Sequence, residues 1–311
     1  MSKAALIIVF NHRYDKNIPI LETLYAERFS SIWFLVPFYD GSHPRVIPVY
    51  ESSNYFQSFF AQGYHRFRDE ANSHYIFLGD DCILHPSVNE SNILESTGLL
   101  PETDFIPGII EFHKLGKDSW WHAFKGVDFF NNRKGAEIRN ELPSRDEAIA
   151  LFNTHGIETK PLKRSQLFGH PDKLSRKGLA QWLNGYYHFN IRWKAYKKKN
   201  LLELPYPVAG AYSDILIIQS ATIEKFCRYC GVMAAAGLFV EIAVPTALLL
   251  SSRKIMQEPA MARKGLALWT PAEITSVETR YGRSLRKLLD QFPPQQLYYH
   301  PVKLSRWTND L

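Results

Sequence analysis

Hydrophobic positions in the first part of the chain fall in short unbroken blocks. Ala5 to Phe10 is wholly apolar and stops at Asn11-His12-Arg13-Tyr14-Asp15. An apolar block of about four to eight residues between polar turns predicts a buried strand. Ser31 to Phe38, closed by Tyr39-Asp40-Gly41-Ser42, and the shorter Arg45 to Tyr50 predict two more. Ile18 to Phe29 and about Tyr55 to Ala71 predict the helices between them. A fourth strand begins at His74, ends in Gly79-Asp80-Asp81, and is followed by further apolar residues to Leu84. Strand, helix, two strands, helix and strand in succession predict an α/β fold with a mixed, mostly parallel sheet flanked by helices. Ligands of such sheets bind beyond the carboxyl ends of the strands.

The pattern blurs from Asn89 to Arg176, with turns around Pro101 and Pro107 and aromatic clusters at Trp120-Trp121-His122 and Phe129-Phe130-Asn131-Asn132-Arg133. Aromatic faces can stack on sugars, although core packing is their commoner use. Glu137 to Gly156 contains a predicted helix, and Lys160 to Arg176 reads as a charged loop. Leu179 to Lys199 predicts an aromatic helix, Ile215 to Ile218 a strand with Asp214 at its mouth, and Ala221 to Cys230 a helix stopped by Gly231. The apolar stretch Gly237 to Leu250 follows, then a helix from about Pro271 to Phe292. No repeat or low-complexity linker divides the 311 residues, so a single domain is expected. Residues 1–125 would form its ligand-binding half and 126–311 the other half, including the tail.

Composition narrows the class. An apolar content of 45% and an aromatic content of 14% fit a folded globular chain. The nearest approach to a membrane span, Gly231 to Leu250, carries Glu241 and Pro245. The start lacks the small-residue cleavage site of a signal peptide. Cys82, Cys227 and Cys230 include one C-x-x-C pair without a second pair at zinc spacing, which predicts reduced thiols and a cytoplasmic location. The net charge is +6. Its densest cluster, Arg192 to Lys199, suits an anionic membrane surface or a phosphate-bearing acceptor, although most such runs are solvated helix faces; a peripheral association with the inner membrane face is one expectation.

Candidate chemistry gathers at the predicted strand ends. Carboxylates at the end of a buried strand are costly unless something binds them, and hard oxygen ligands suit Mn2+ or Mg2+. Asn11-His12-Arg13, Tyr39-Asp40-Gly41 and Asp80-Asp81 converge on one rim. The chain has neither G-x-G-x-x-G nor G-x-x-x-x-G-K-[ST], so phosphate binding would lean on a cation and on basic side chains. Glu241 stands alone among apolar residues and is either a general base or a carboxylate satisfied by backbone donors. In the closing Tyr299-His300-Pro301-Val302-Lys303, an imidazole can complete a metal shell and a lysine can meet phosphate oxygens, provided the tail docks.

Taken together, Gly79-Asp80-Asp81, Glu241 and His300-Pro301-Val302-Lys303 resemble the nucleotide-sugar glycosyltransferases of the GT-A, Rossmann-like fold, and Val208 to Asp214 with Phe239 to Thr246 resembles bacterial enzymes that build capsule or lipopolysaccharide chains. The resemblance implies a divalent cation held by Asp81 and His300. It implies donor contacts from Phe10, Asn11, His12, Arg13, Asp40, Asp80 and Lys303. Glu241 would be the catalytic base and Asp214 the reserve base. A UDP-linked sugar, such as a galactosyl donor, would pass with inversion to a hydroxyl of a glycan or lipid-linked glycan, and no nucleic acid would take part. The first position of the usual D-x-D motif is Gly79 here, which moves the metal ligand to Asp81. Two other readings stay open. One is a nucleotidyl-transfer enzyme or nuclease drawing further carboxylates from Asp15 or Asp40; the other is a sugar- or nucleotide-binding module without turnover.

Overall fold

The computed structural model describes residues 3–116, 120, 122–131, 134–168 and 179–311. Trp121, Asn132, Arg133 and residues 169–176 of the predicted loop lie outside the described residues, and the described part of that loop contains the short helix Arg164–Phe168. Ten strands are present among the described residues: β1 (Ala4–Val9), β2 (Ile32–Pro37), β3 (Val46–Val49), β4 (His74–Gly79), β5 (Ile83–Leu84), β6 (Asp104–Ile106), β7 (Ile215–Gln219), β8 (Ile255–Gln257), β9 (Lys264–Ala267) and β10 (Gln296–His300). The fold is α/β. Seven of them form a mostly parallel sheet in the order β3-β2-β1-β4-β7-β6-β8, and β5-β10-β9 form a second sheet.

The chain groups into two compact units. The first comprises Met1–Gly108, Tyr212–Gly231 and Ser251–Leu311, and the second Ile109–Ala211 and Val232–Leu250.

Both sheets belong to the first unit. β1 is buried at every position and pairs in parallel with β2 and β4, so that Val9 stands beside both Leu35 and Gly79. Alternation sends Leu6, Ile8 and Phe10 to one face, with Ile18, Leu21 and Tyr25 of the helix Ile18–Tyr25 in the same cluster. The opposite face is largely aromatic. Phe60 of the helix Gln57–Phe67 lies 4.5 Å from Phe77, and Phe226 lies 6.2 Å from Phe77. Burial of a Phe side chain contributes about 1.5–3 kcal/mol, so these two faces dominate the stability of the unit.

β7 runs antiparallel to β4, with Leu78 opposite Ile215. A strand entering against the direction of its neighbour puts its first residues at the neighbour's carboxyl end. Asp214 is therefore seated beside Gly79, whose N–H donates to its carbonyl at 2.9 Å. The tail reaches the same edge by sheet pairing: β10 lies antiparallel to β5 and parallel to β9. The N–H of Val302 then donates to the Asp81 carbonyl at 2.7 Å.

Asp104 on β6 is fully buried and anchors the far side of the sheet. Its carboxylate accepts from Gln219 N at 2.7 Å, Thr222 Oγ1 at 2.9 Å and Ser252 Oγ at 2.5 Å. Burial still pushes its pKa up, against the pull of these donors.

Two expected helix ends move. The expected helix from Pro271 to Phe292 divides into Pro271–Tyr281 and Leu285–Asp290, because Gly282 takes a left-handed φ of 61° and closes the first helix. Gly231 does not stop its helix, which runs through Ser220–Ala235; a Cβ at Gly231 would meet Ala61 at 2.9 Å, so the residue serves close packing instead. The cysteines are free and buried, as the sequence suggests.

In the second unit Trp120 and Phe129 pack inward. Trp120 and Phe129 are 7% and 8% exposed, and Gly210 leaves room for the Trp120 ring, with which a Cβ there would clash. No helix among the described residues is long and apolar enough to cross a membrane.

Candidate active site

Because β1, β2 and β4 are parallel and in register, their following loops leave the sheet along one edge. The loop after β4 carries Asp80 and Asp81 in different settings. Asp80 is 4% exposed and accepts from Asn17 Nδ2 at 3.1 Å. Burial, reinforced by the adjacent Asp81 charge, pushes its pKa up to about 7 against the Asn17 hydrogen bond. Asp81 is less buried and faces the tail.

His300 sits between two carboxylates. Its Nε2 lies 3.2 Å from Asp81 Oδ1, and its Nδ1 lies 3.3 Å from Asp214 Oδ2. Burial alone would lower the imidazole pKa; the Asp81 hydrogen bond and the charges of Asp214, Asp81 and Asp80 outweigh it, and the net shift is upward. Burial also raises the Asp214 carboxyl, with the neighbouring Asp81 acting in the same direction and His300 opposing both. Three chain segments far apart in sequence thus meet in one acid–imidazole–acid group. Gly79 permits the tight turn: a Cβ there would stand 3.3 Å from Asp81 Oδ1.

The donor set fits a hard divalent cation in kind, with two carboxylates and an imidazole within reach of one another. No group of three ligating side chains among the described residues already converges as a metal centre. The physical reason is that His300 spends both ring nitrogens on the carboxylates. Binding a cation would require the imidazole to give up one of those contacts. A cleft of about 40 Å³ opens here, lined by Asn11, Asp81, Ser213, Asp214 and His300 among others. That is room for an ion and little more than a water.

The other predicted donor residues are spread along the same unit. Phe10 is fully buried against Phe34, with its ring enclosed. Asn11 lines the cleft, and His12 lies exposed, edge-on to Tyr14 at 5.8 Å. Arg13 is engaged already: Nε meets Asp15 at 3.0 Å, and the guanidinium also bonds Asp40 through both terminal nitrogens. Arg13 and Asp40 thus bond each other on the surface. Lys303 is exposed beside the short helical turn Leu304–Arg306.

Glu241 belongs to the second unit and is not enclosed by the apolar helix around it. It occupies the first turn of Val240–Ser251, where the helix dipole favours a carboxylate. Pro245 lacks the N–H that would bond the Glu241 carbonyl, which accepts instead from Ala211 N at 2.9 Å. Its side chain is 25% exposed, and Oε2 lies 3.2 Å from His122 Nε2. His122 stacks on Phe239 at 4.8 Å, with Lys125 3.4 Å over the same ring. Burial, together with the Lys125 charge, pushes the His122 pKa down to about 4.

Asn17, His122 and Lys125 are the groups that sequence reasoning did not single out. His122 was legible only as one member of an aromatic cluster; its spacing of three from Lys125, at the start of the helix Ala123–Phe129, was the available signal. No model of a known protein family matches the chain, and no curated protein is significantly similar to it.

Proposed function

We propose that the protein is a metal-dependent glycosyltransferase of the GT-A fold, a hexosyltransferase moving a sugar with inversion from a UDP-linked donor to a hydroxyl of a glycan or lipid-linked glycan. The observation that carries this reading is the Asp81–His300–Asp214 group at the carboxyl edge of a mostly parallel sheet. Strand-end carboxylates joined by a histidine from the tail are the arrangement that the resemblance in Gly79-Asp80-Asp81 and His300 implies.

Asp81 with His300 would hold the cation, and Asp214 is within reach of the same imidazole. When bound, Mn2+ or Mg2+ supplies charge neutralisation for a diphosphate leaving group. The chain's own residues supply the rest. Asn17 fixes the Asp80 carboxyl, which is poised to bond a ribose hydroxyl. Lys303 is a point charge for phosphate oxygens. Arg13 contributes positive charge only by releasing Asp40 or Asp15. Two carboxylates can take the proton of the acceptor hydroxyl: Glu241, with His122 alongside, and Asp214 as the reserve. The same reading places the enzyme in the cytoplasm at the inner face of the membrane, in assembly of bacterial surface polysaccharide.

Release of UDP from UDP-hexoses, measured with Mn2+ and with chelator, tests the proposal. Cation-dependent release that Asp81→Asn abolishes is the expected result. Release indifferent to chelator, or to Asp81→Asn, would overturn the cation assignment.

A further inference from the structure

Trp269 is 60% exposed, whereas Trp120 and Trp307 are each 7% exposed and serve the interior. A large apolar ring left in water on a firmly held backbone calls for an account. Glu273 Oε2 accepts from the N–H of Trp269 at 2.9 Å and of Thr270 at 2.7 Å, within the capping box that starts the helix Pro271–Tyr281. On the other side, Leu268 N donates to the His300 carbonyl at 2.7 Å, continuing the β9–β10 pairing.

The Trp269 ring meets Tyr212 at 4.5 Å between centroids, with the planes inclined by 55°. Tyr212 lies two residues before Asp214. Each ring is thus tied by short backbone links to one member of the acid–imidazole–acid group, Tyr212 to Asp214 and Trp269 to His300. Two tilted aromatic rings and the acid–imidazole–acid group are thus carried by linked backbone segments of the first unit.

A hexopyranose needs that combination. One face of the ring presents C–H groups, which pack on aromatic surfaces, while its hydroxyls require charged or polar partners. The high exposure of Trp269 suits a ring arriving from solvent as part of a chain. We infer that Tyr212 and Trp269 form a pyranose-stacking subsite for the acceptor glycan, with Asp214 as its neighbouring hydroxyl partner. This rests on the glycosyl-transfer reading and names a residue pair that selects the acceptor.

The test uses the full chain and measures binding rather than turnover. Saturation-transfer NMR is recorded with methyl β-galactopyranoside, methyl β-glucopyranoside and β-linked disaccharides of each. The expected result is saturation of ring C–H protons by the unaltered protein, an affinity weakened about tenfold in Trp269→Ala, and recovery to within about threefold in Trp269→Phe, as stacking energies allow. Equal affinity in Trp269→Ala, or no saturation of any of these sugars, would overturn the subsite. UDP with Mn2+ is tested on the unaltered protein in parallel. A UDP response without sugar binding retains the transferase reading and rejects the subsite. Sugar binding that Trp269→Ala abolishes, in a protein that gives no UDP response, retains the subsite and rejects the reading on which its role depends.

Discussion

Replacing His300 by alanine leaves Asp81 and Asp214 facing each other without the group between them. Each contact, at 3.2 and 3.3 Å, has a gross attraction of roughly 5 kcal/mol at an effective dielectric near 20. Desolvation cancels most of that. Removing one partner from a fully buried charge set costs about 3–5 kcal/mol. The side chains here are 20%, 31% and 28% exposed for His300, Asp81 and Asp214, which reduces the expected loss to about 2–3 kcal/mol. The pH dependence has a definite sign. The folded-state pKa of His300 is raised, so its contribution is complete below the unfolded value of about 6.5 and is lost as pH rises through the folded value. Urea unfolding of both proteins at pH 6 and pH 9, with chelator present, measures this. The gap should be about 2–3 kcal/mol at pH 6 and should shrink at pH 9. A variant as stable as the parent at pH 6, or a gap that widens at pH 9, would refute the reasoning.

Further outcomes follow from other sites. Asp104→Asn keeps the volume but turns an amide donor toward groups that already donate, and should cost about 2–4 kcal/mol in urea unfolding; a loss below about 0.5 kcal/mol would show that the buried carboxylate is not the anchor described. Gly282→Ala forces a side chain into a left-handed φ of 61°, and a loss of about 1–2 kcal/mol is expected by the same measurement. If Glu241 is the base, Glu241→Gln should lower kcat by about 100-fold or more with little change in donor KM, and Asp214→Asn should lower it less; the reverse order moves the base to Asp214.

The sheet was legible because β1, β2 and β4 are apolar blocks long enough to be buried on both faces. β6, β8 and β9 were not: Asp104–Ile106 and Ile255–Gln257 are three residues long, and Lys264–Ala267 spends two of its four positions on a lysine and a glycine, so none forms an apolar block. Asp81, Asp214 and His300 could each be named from local sequence, whereas their meeting depends on β7 running antiparallel and β10 docking on β5, which no local pattern encodes. Glu241 looked enclosed because its sequence neighbours are apolar. In three dimensions it opens at a helix N-terminus beside His122, a contact between residues 119 positions apart in sequence. Trp269 gave no sequence signal at all, since exposure of a tryptophan is a property of the folded surface.

In the proposed site, Asp81 and its partners would hold a cation that in turn would hold a nucleoside diphosphate. Thermal unfolding of the unaltered protein and of Asp81→Asn, each with UDP alone, Mn2+ alone and both together, tests it most directly. At ligand near 100 times Kd, UDP with Mn2+ should raise Tm of the unaltered protein by about 4 °C, UDP without the cation should raise it far less, and Asp81→Asn should lose the joint effect. A shift by UDP that is the same with and without Mn2+, or no shift with any nucleoside diphosphate and either cation, would rule out a cation-mediated diphosphate site at Asp81.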